Sequence, residues 1–239
     1  MTAQDYARPE LLVETDWLEA RLDDPNIRIV DCDEYDKYLR AHIKNAVGIK
    51  VHHYIKHPDY PDDPTGHPLV ADPDTFVELM ESMGIGDDDL VVAYDNAGSL
   101  YATRFWWALS YYGHTNVKVL NGGWRKWFDE GRPATLEVPD VPDKGFTAAV
   151  NRDVVCTVDH GVASVGRSDT VFLDVRSDGE WDGTNDRGNS RAGHVPGAVH
   201  LEWLNFITDD DYRTIKPAQE LRAMLEERGV TPDKQVITY

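Results

Sequence analysis

The stretch Gly229-Val-Thr-Pro-Asp-Lys-Gln-Val-Ile-Thr-Tyr239 decides the fold, because the chain contains its pattern twice. A glycine that ends a helix is followed by a turn and then by a short β-branched run, which predicts a buried strand. The same order occurs in Gly84-Ile-Gly-Asp-Asp-Asp-Leu-Val-Val-Ala-Tyr94. Gly229 lies 145 residues after Gly84, and Tyr239 lies 145 residues after Tyr94. The two stretches predict a duplicated domain.

Four further pairs of segments match in the same order, with offsets between 142 and 152 residues. The pairs are Leu12–Thr15 with Val154–Thr157, Arg28–Asp31 with Val171–Asp174, Ala41–Val47 with Gly193–Val199, and Asp72–Gly84 with Lys216–Gly229. Strand and helix patterns alternate in both copies, which is typical of a parallel sheet covered by helices on both faces. Thr15, Asp72 and Ser99 are predicted to cap helices, since each precedes a helical pattern and has a side-chain oxygen.

A proline-rich stretch separates the two copies. We predict domains at residues 1–134 and 146–239, joined by a linker at 135–145. The first copy continues well past Tyr94, whereas the sequence stops at Tyr239. The second domain is therefore expected to be incomplete and to end on what would be an interior strand.

The charge balance is strongly acidic. The 239 residues include 43 Asp and Glu against 24 Lys and Arg, for a net charge of −19, and the acids are dispersed along the chain. A dispersed acidic surface is tolerated where salt screens it, so a halophilic cytoplasm is our hypothesis. The same sign disfavours nucleic acid and anionic membranes as partners. No apolar run reaches transmembrane length, the start does not resemble a signal peptide, and two cysteines make no disulfide framework, so we expect a cytoplasmic protein.

Each copy also contains two distinctive motifs. The helix and helix-exit motifs of the first copy are Gly98-Ser-Leu-Tyr-Ala-Thr-Arg-Phe-Trp-Trp107 and Val119-Leu-Asn-Gly-Gly-Trp-Arg-Lys-Trp127. The entry motifs of the second copy are Leu173-Asp-Val-Arg-Ser-Asp-Gly-Glu-Trp-Asp-Gly183 and Gly193-His-Val-Pro-Gly-Ala198. These motifs resemble the rhodanese family of two-domain sulfurtransferases, and the resemblance covers almost the whole chain. It implies two tandem rhodanese-like α/β domains.

In the family, the strand that matches Gln235–Tyr239 delivers a cysteine at its carboxyl end, so a cysteine is expected directly after Tyr239. A loop of inward amides at a helix N-terminus forms an anion cradle and lowers the pKa of such a thiol. The resemblance implies that the thiolate takes the outer sulfur of thiosulfate and passes it to cyanide or a thiol, without a metal or cofactor. The 239-residue chain itself is predicted to be inactive, because neither Cys32 nor Cys156 occupies this position. Both are predicted to be ordinary buried or half-buried thiols.

In the first copy, Asp95 stands at the place of this cysteine. A carboxylate cannot carry a sulfane sulfur and repels an anionic substrate, so the resemblance implies that the first domain is catalytically silent. The first domain would only line one side of the active-site cleft, as its wall, and Leu100 and Tyr101 are the candidate wall residues.

Arg176 is the substrate-binding candidate, since a guanidinium group suits a tetrahedral oxyanion. Asp174 and Glu180 are expected to orient this arginine, and a purely structural ion pair with either of them is the alternative. His42 and His194 occupy matching turns, which predicts a shared backbone hydrogen bond.

Four histidines share one loop and are predicted to be solvated, since their spacing fits no metal site. They are His52, His53, His57 and His67. Three other functions compete with thiosulfate sulfurtransferase: a 3-mercaptopyruvate sulfurtransferase, a phosphatase of the related cell-cycle type, and a non-catalytic binding or sulfur-carrier module. The phosphatase would need a loop one residue longer.

Overall fold

The computed structural model describes residues 5–50, 55 and 70–239. The four histidines of the predicted solvated loop lie outside these residues. The chain forms two compact units. The N-terminal unit comprises the described part of residues 7–155 together with 210–214, and the C-terminal unit comprises 156–209 and 215–239 with Asp5 and Tyr6.

Five parallel strands form the central sheet of the N-terminal unit. They are β1 (Leu12–Val13), β2 (Ile27–Asp31), β4 (Val47–Gly48), β5 (Leu90–Tyr94) and β6 (Val117–Leu120). Their order is β1-β6-β5-β2-β4. Two short strands, β3 (His42–Ile43) and β7 (Ala134–Thr135), pair antiparallel beside this sheet. The helices are α1 (Thr15–Glu19), α2 (Tyr35–Tyr38), α3 (Pro73–Ser82), α4 (Leu100–Tyr111) and α5 (Gly123–Asp129).

Both faces of this sheet are buried, because alternate residues of a strand point to opposite sides. In β5, Val91 and Ala93 pack into one apolar cluster, whereas Val92 and Tyr94 pack into another. The first cluster includes Phe105 from α4, and the second includes Trp127 from α5. The predicted arrangement of helices on both faces is confirmed.

The predicted helix starts have different outcomes. Asp72 caps α3 as predicted, since its Oδ1 accepts a hydrogen bond from Thr75 N at 3.1 Å. The prediction for Thr15 was wrong: Glu14 occupies the N-cap position, and the Thr15 hydroxyl donates to Glu130 Oε2 at 2.5 Å. Ser99 does precede α4, but within the described chain its side chain makes no capping hydrogen bond.

The C-terminal unit repeats part of this plan. Its strands are β8 (Thr170–Asp174), β9 (Val199–His200) and β10 (Gln235–Thr238), and its helices are α6 (Val158–Ser164), α7 (Asp178–Asp182) and α8 (Ala218–Glu227). All strand pairs are parallel, in the order β10-β8-β9. This is the order β5-β2-β4 of the other unit, so the duplication predicted from the sequence is confirmed.

The N-terminal unit continues to Val155, ten residues beyond the end of the predicted linker at residue 145. The predicted domain bounds stay a prediction. Phe146 is 5% exposed in the N-terminal core, and Ala149 N donates to Tyr112 O at 2.9 Å. The segment following the linker thus packs along the end of α4, a contact that proline content does not reveal.

Among the described residues, no helix has the length and apolar character that crossing a bilayer requires.

Candidate functional site

The carboxyl edge of the C-terminal sheet carries the predicted arginine. Asp174 ends β8 with a fully buried side chain, and Arg176 follows two residues later. Arg176 Nε lies 3.0 Å from Asp174 Oδ1, and Nη2 lies 2.5 Å from Oδ2. Nη2 also donates to Gly193 O at 2.9 Å. The guanidinium carbon lies 5.0 Å from the centroid of the Tyr239 ring, so the arginine is held on three sides.

Asp174 and Arg176 each stabilise the charged form of the other. Burial alone would raise the pKa of Asp174, but hydrogen bonds from Arg176 and Tyr239 bring it below its usual value. The hydrogen bond to Asp174 in turn raises the pKa of Arg176. Both groups are therefore charged at neutral pH. The Arg176 side chain remains 30% exposed, and its role in substrate binding stays a prediction.

Glu180 has a different local role from Asp174. Ser177 Oγ donates to Glu180 Oε2 at 2.6 Å, which fixes the first turn of α7. Arg187 also pairs with Glu180 at 3.2 Å. In the described part of the chain Glu180 makes no hydrogen bond to Arg176, so direct orientation of the arginine comes from Asp174. Glu180 acts on it only through its charge.

In both units, a tyrosine forms a hydrogen bond to the aspartate that ends the neighbouring strand, and we call this pair the Asp–Tyr frame. Tyr94 OH donates to Asp31 Oδ2 at 2.8 Å and accepts from Ile43 N at 3.2 Å. Tyr239 OH likewise bonds to Asp174 and accepts from Val195 N at 2.9 Å. Sequence analysis identified both tyrosines only as matched strand ends and missed this hydrogen-bonded role. The signal was present, since an aspartate and a tyrosine end adjacent matched strands in each copy.

The paired histidines also behave alike. His42 Nδ1 lies 2.9 Å from Tyr38 O, and its ring stacks on Tyr38 with centroids 4.0 Å apart. His194 Nδ1 lies 2.9 Å from Trp181 O, and these rings stack at 3.5 Å. The predicted shared backbone hydrogen bond is confirmed.

Asp95 occupies an anion cradle. The loop from β5 into α4 directs four backbone amides at its carboxylate, which is almost fully buried. Ala97 N and Ser99 N donate to Oδ1, and Tyr101 N and Ala102 N donate to Oδ2, all at 2.8–2.9 Å. This is the arrangement by which loops at helix N-termini hold anions. Here the chain's own side chain fills it.

The glycine pair before Trp124 closes this loop from the other side. Trp124 N donates to Asp95 O at 2.9 Å, which brings the start of α5 against the end of β5. A Cβ atom on Gly123 would lie 1.9 Å from Asp95 O. The Asn121-Gly-Gly-Trp124 motif therefore has a structural cause, because only glycine permits this backbone approach.

We expect Gly123→Ala to destabilise the N-terminal unit by about 2 kcal/mol, since an overpacked contact with backbone adds to the cost of a left-handed residue. Gly131→Ala is the matched control: Gly131 also has a positive φ of 69°, but no described atom lies within 4 Å of its added Cβ. The control should cost about 1 kcal/mol. Urea unfolding measures both, and equal losses would contradict the steric explanation.

The two cysteines differ in exposure. Cys32 is fully buried, and burial together with the nearby Asp95 and Asp31 carboxylates raises the pKa of its thiol well above the usual value. Its predicted burial is confirmed. Cys156 is exposed, so that part of the prediction was wrong. In the pairing of Leu12–Thr15 with Val154–Thr157, Cys156 corresponds to Glu14, which directly follows β1, and Cys156 belongs to no strand of the described chain.

The two candidate wall residues lie in the first turn of α4. Leu100 and Tyr101 are both partly exposed, and Tyr101 also donates its backbone amide to the Asp95 carboxylate. Their place in a cleft wall stays a prediction.

The sequence of this chain is similar to those of known proteins. The family model of the rhodanese-like domain matches residues 14–130 and 159–239. The sulfur carrier protein TtuD of Thermus thermophilus is 36% identical over 98% of this chain and 83% of its own length. The thiosulfate sulfurtransferase of Bos taurus is 31% identical over 95% of this chain and 80% of its own length.

A solved structure also matches this chain over most of its length. The crystal structure of the 3-mercaptopyruvate sulfotransferase SseA from Escherichia coli has a TM-score of 0.82 and 27% identity, and the match covers 95% of this chain and 87% of that one. The family model covers most of both copies, and the relatives match along nearly the whole chain. The chain therefore belongs to the rhodanese family of sulfurtransferases and carries two rhodanese-like domains in tandem.

Proposed function

We propose that the protein transfers the sulfane sulfur of thiosulfate to a thiophilic acceptor through a cysteine persulfide. The observation that carries this proposal is the cradle around Asp95. Asp95, the residue after Tyr94, accepts hydrogen bonds from four backbone amides. The position after Tyr239 is its counterpart in the second copy. A cysteine at that counterpart would be held as a thiolate by the same kind of loop.

The chemistry follows in two steps. The thiolate forms a bond to the outer sulfur of thiosulfate, the sulfur–sulfur bond of thiosulfate breaks, and sulfite leaves with the electron pair. The resulting persulfide then gives its outer sulfur to cyanide, forming thiocyanate, or to a thiol, and the thiolate is restored. The first domain, with a carboxylate in its cradle, takes no part in either step.

Arg176 is proposed to attract the donor. Asp174 fixes its guanidinium group, and the part of the side chain that stays exposed lies beside the end of β10. A fixed arginine suits the oxygens of a tetrahedral anion. The protein as a whole is strongly acidic, so a local cation must overcome the repulsion of a dianion.

Two alternatives remain in the same family. A 3-mercaptopyruvate donor is favoured by the likeness to SseA. A sulfur carrier that receives its sulfur from another protein is favoured by the likeness to TtuD. Steady-state sulfite release from thiosulfate distinguishes the proposed enzyme from both.

The test uses the protein encoded by the intact gene. We expect it to release sulfite from thiosulfate and form thiocyanate from cyanide, and to lose both activities when the residue after Tyr239 is replaced by serine. Cys156→Ser is the matched control, because Cys156 is exposed and has no proposed role; it should keep full activity. Full activity of the first variant would rule out the proposed nucleophile. Faster turnover of 3-mercaptopyruvate than of thiosulfate would favour the other donor.

A further inference from the structure

Arg176 is held by its backbone as well as by its side chain. Arg176 N donates to Asp174 Oδ1 at 3.0 Å, and the Arg176 carbonyl oxygen lies 2.9 Å from His200 Nε2. A carbonyl oxygen can only accept, so His200 Nε2 carries the proton of this hydrogen bond. The imidazole ring therefore fixes the carbonyl end of a residue whose amide and guanidinium group are fixed by Asp174.

The His200 ring is itself held in place. It lies against Trp181, with the ring centroids 5.0 Å apart and the ring planes 8° apart. Its other nitrogen, Nδ1, lies 3.6 Å from Asp178 Oδ1, and 16% of the His200 side chain is exposed. The His200 carbonyl accepts from Arg228 Nε at 2.9 Å. A donor that is fixed by stacking and by its own backbone can hold another group in one orientation.

The N-terminal unit differs at both of these positions. His200 and Gly48 occupy equivalent places, because each pairs with the aspartate that ends the neighbouring strand, in β8 and β2 respectively. Asp33 stands 143 residues before Arg176, at the matching position. Tyr38 lies against Gly48, so that a Cβ added to this glycine would be 2.6 Å from the tyrosine ring. The copy without the arginine is therefore also the copy without the histidine.

This difference separates the role of His200 from that of the shared fold. The Asp–Tyr frame and the backbone hydrogen bonds of His42 and His194 form in both units. They form in the N-terminal unit with a glycine at the place of His200. The fold of this sheet edge does not require an imidazole there, so the contact of His200 with Arg176 belongs to the arginine and not to the frame.

We propose that His200 is a positioning residue of the sulfur-donor site, and that its hydrogen bond to the Arg176 carbonyl increases the affinity for thiosulfate. This inference rests on the proposed role of Arg176 in binding the donor. An arginine that is already ordered loses less conformational freedom when an oxyanion binds. Arg176 would contact the donor both before and during sulfur transfer, so His200 should affect binding more than the chemical step.

His200→Phe tests the hydrogen bond, since phenylalanine keeps an aromatic ring beside Trp181 but has no donor. In the protein from the intact gene, we expect the KM for thiosulfate to rise about fivefold, with kcat changed by less than about twofold. His200→Gln should restore the wild-type KM, because the glutamine amide places an N–H group close to the position of Nε2.

His160→Phe is the matched control. His160 is an exposed histidine of the same unit, and its Nε2 lies 3.4 Å from the side-chain nitrogen of Gln235. This substitution should leave both kinetic constants unchanged. If His200→Phe does not fold, His200→Leu provides the same comparison, because leucine also lacks a donor.

Solvent exchange of the Arg176 Nε–H proton, measured by NMR in the same protein, gives a readout that does not need turnover. Exchange should become about threefold faster or more in His200→Phe and stay unchanged in His200→Gln. A wild type that releases no sulfite would refute the proposed function, and the exchange rates would then decide the positioning role by themselves. Unchanged exchange in His200→Phe, an unchanged KM in an active protein, or equal changes in the Phe and Gln variants would overturn the proposal.

Discussion

Replacing Arg176 by alanine is expected to destabilise the C-terminal unit by about 3 kcal/mol at neutral pH, because it leaves a buried charge without its partner. Asp174 has a fully buried side chain, and its two carboxylate oxygens receive Arg176 Nε and Nη2 at 3.0 and 2.5 Å. The substitution also removes the hydrogen bond to Gly193 O and the contact with the Tyr239 ring.

The pH dependence of this loss has a definite sign. The pKa of Asp174 is lowered in the folded protein, so its contribution to stability is present above the unfolded pKa and is lost as pH falls through the folded one. The difference between wild type and Arg176→Ala should therefore be largest at neutral pH and shrink in acid. Adding Asp174→Asn to the variant should recover much of the loss, since no buried charge then remains.

Amide hydrogen exchange in β8 and β10 measures this local stability. Arg187→Ala is the control, because Arg187 also forms an ion pair in this unit but is 64% exposed. Exposed pairs contribute little, so the control should change stability by less than about 1 kcal/mol. Equal effects of the two alanine variants would mean that the ion pair does not hold the frame together.

Asp31→Asn is expected to stabilise the N-terminal unit at alkaline pH, which is the opposite of the usual effect of altering a buried polar residue. The pKa of Asp31 is raised to about 7 by burial. A raised acid pKa means that the folded state binds more protons than the unfolded state as pH rises from 3.8 towards 7, so stability falls over that interval. The full cost is about 4 kcal/mol above pH 7.

Asparagine resembles the protonated acid in shape and cannot ionise. The variant should therefore lack this fall, and its advantage over wild type should grow by roughly 3 kcal/mol between about pH 5 and about pH 8. Urea unfolding across this range measures the difference. Asp36→Asn, which alters an exposed carboxylate, should follow the wild type. A constant difference between Asp31→Asn and wild type would show that Asp31 is not protonated in the folded protein.

Much of the frame could be predicted from the sequence because it repeats. The strand patterns that end at Tyr94 and Tyr239 predicted both copies of the domain, and β5 and β10 lie in equivalent places in their sheets. The aspartates that end β2 and β8 were also found as matched positions. Regular alternation and a constant offset are properties that a linear sequence preserves.

Other features depend on contacts between distant parts of the chain. The Tyr94–Asp31 hydrogen bond joins residues 63 positions apart, and the Thr15 hydroxyl, predicted as a cap, instead bonds to Glu130, the residue that follows α5. Neither contact is visible in a local pattern of the sequence, and only the repeated aspartate and tyrosine at matched strand ends point to the first of them.

The most direct test of the central claim is the mass of the sulfur-loaded protein. The protein from the intact gene is incubated with thiosulfate, desalted without reductant and digested, and the masses of its peptides are measured by mass spectrometry. The account predicts one added sulfur atom on the residue that follows Tyr239, and its loss after cyanide treatment. Sulfur bound to Cys32 or Cys156, or none bound at all, would contradict it.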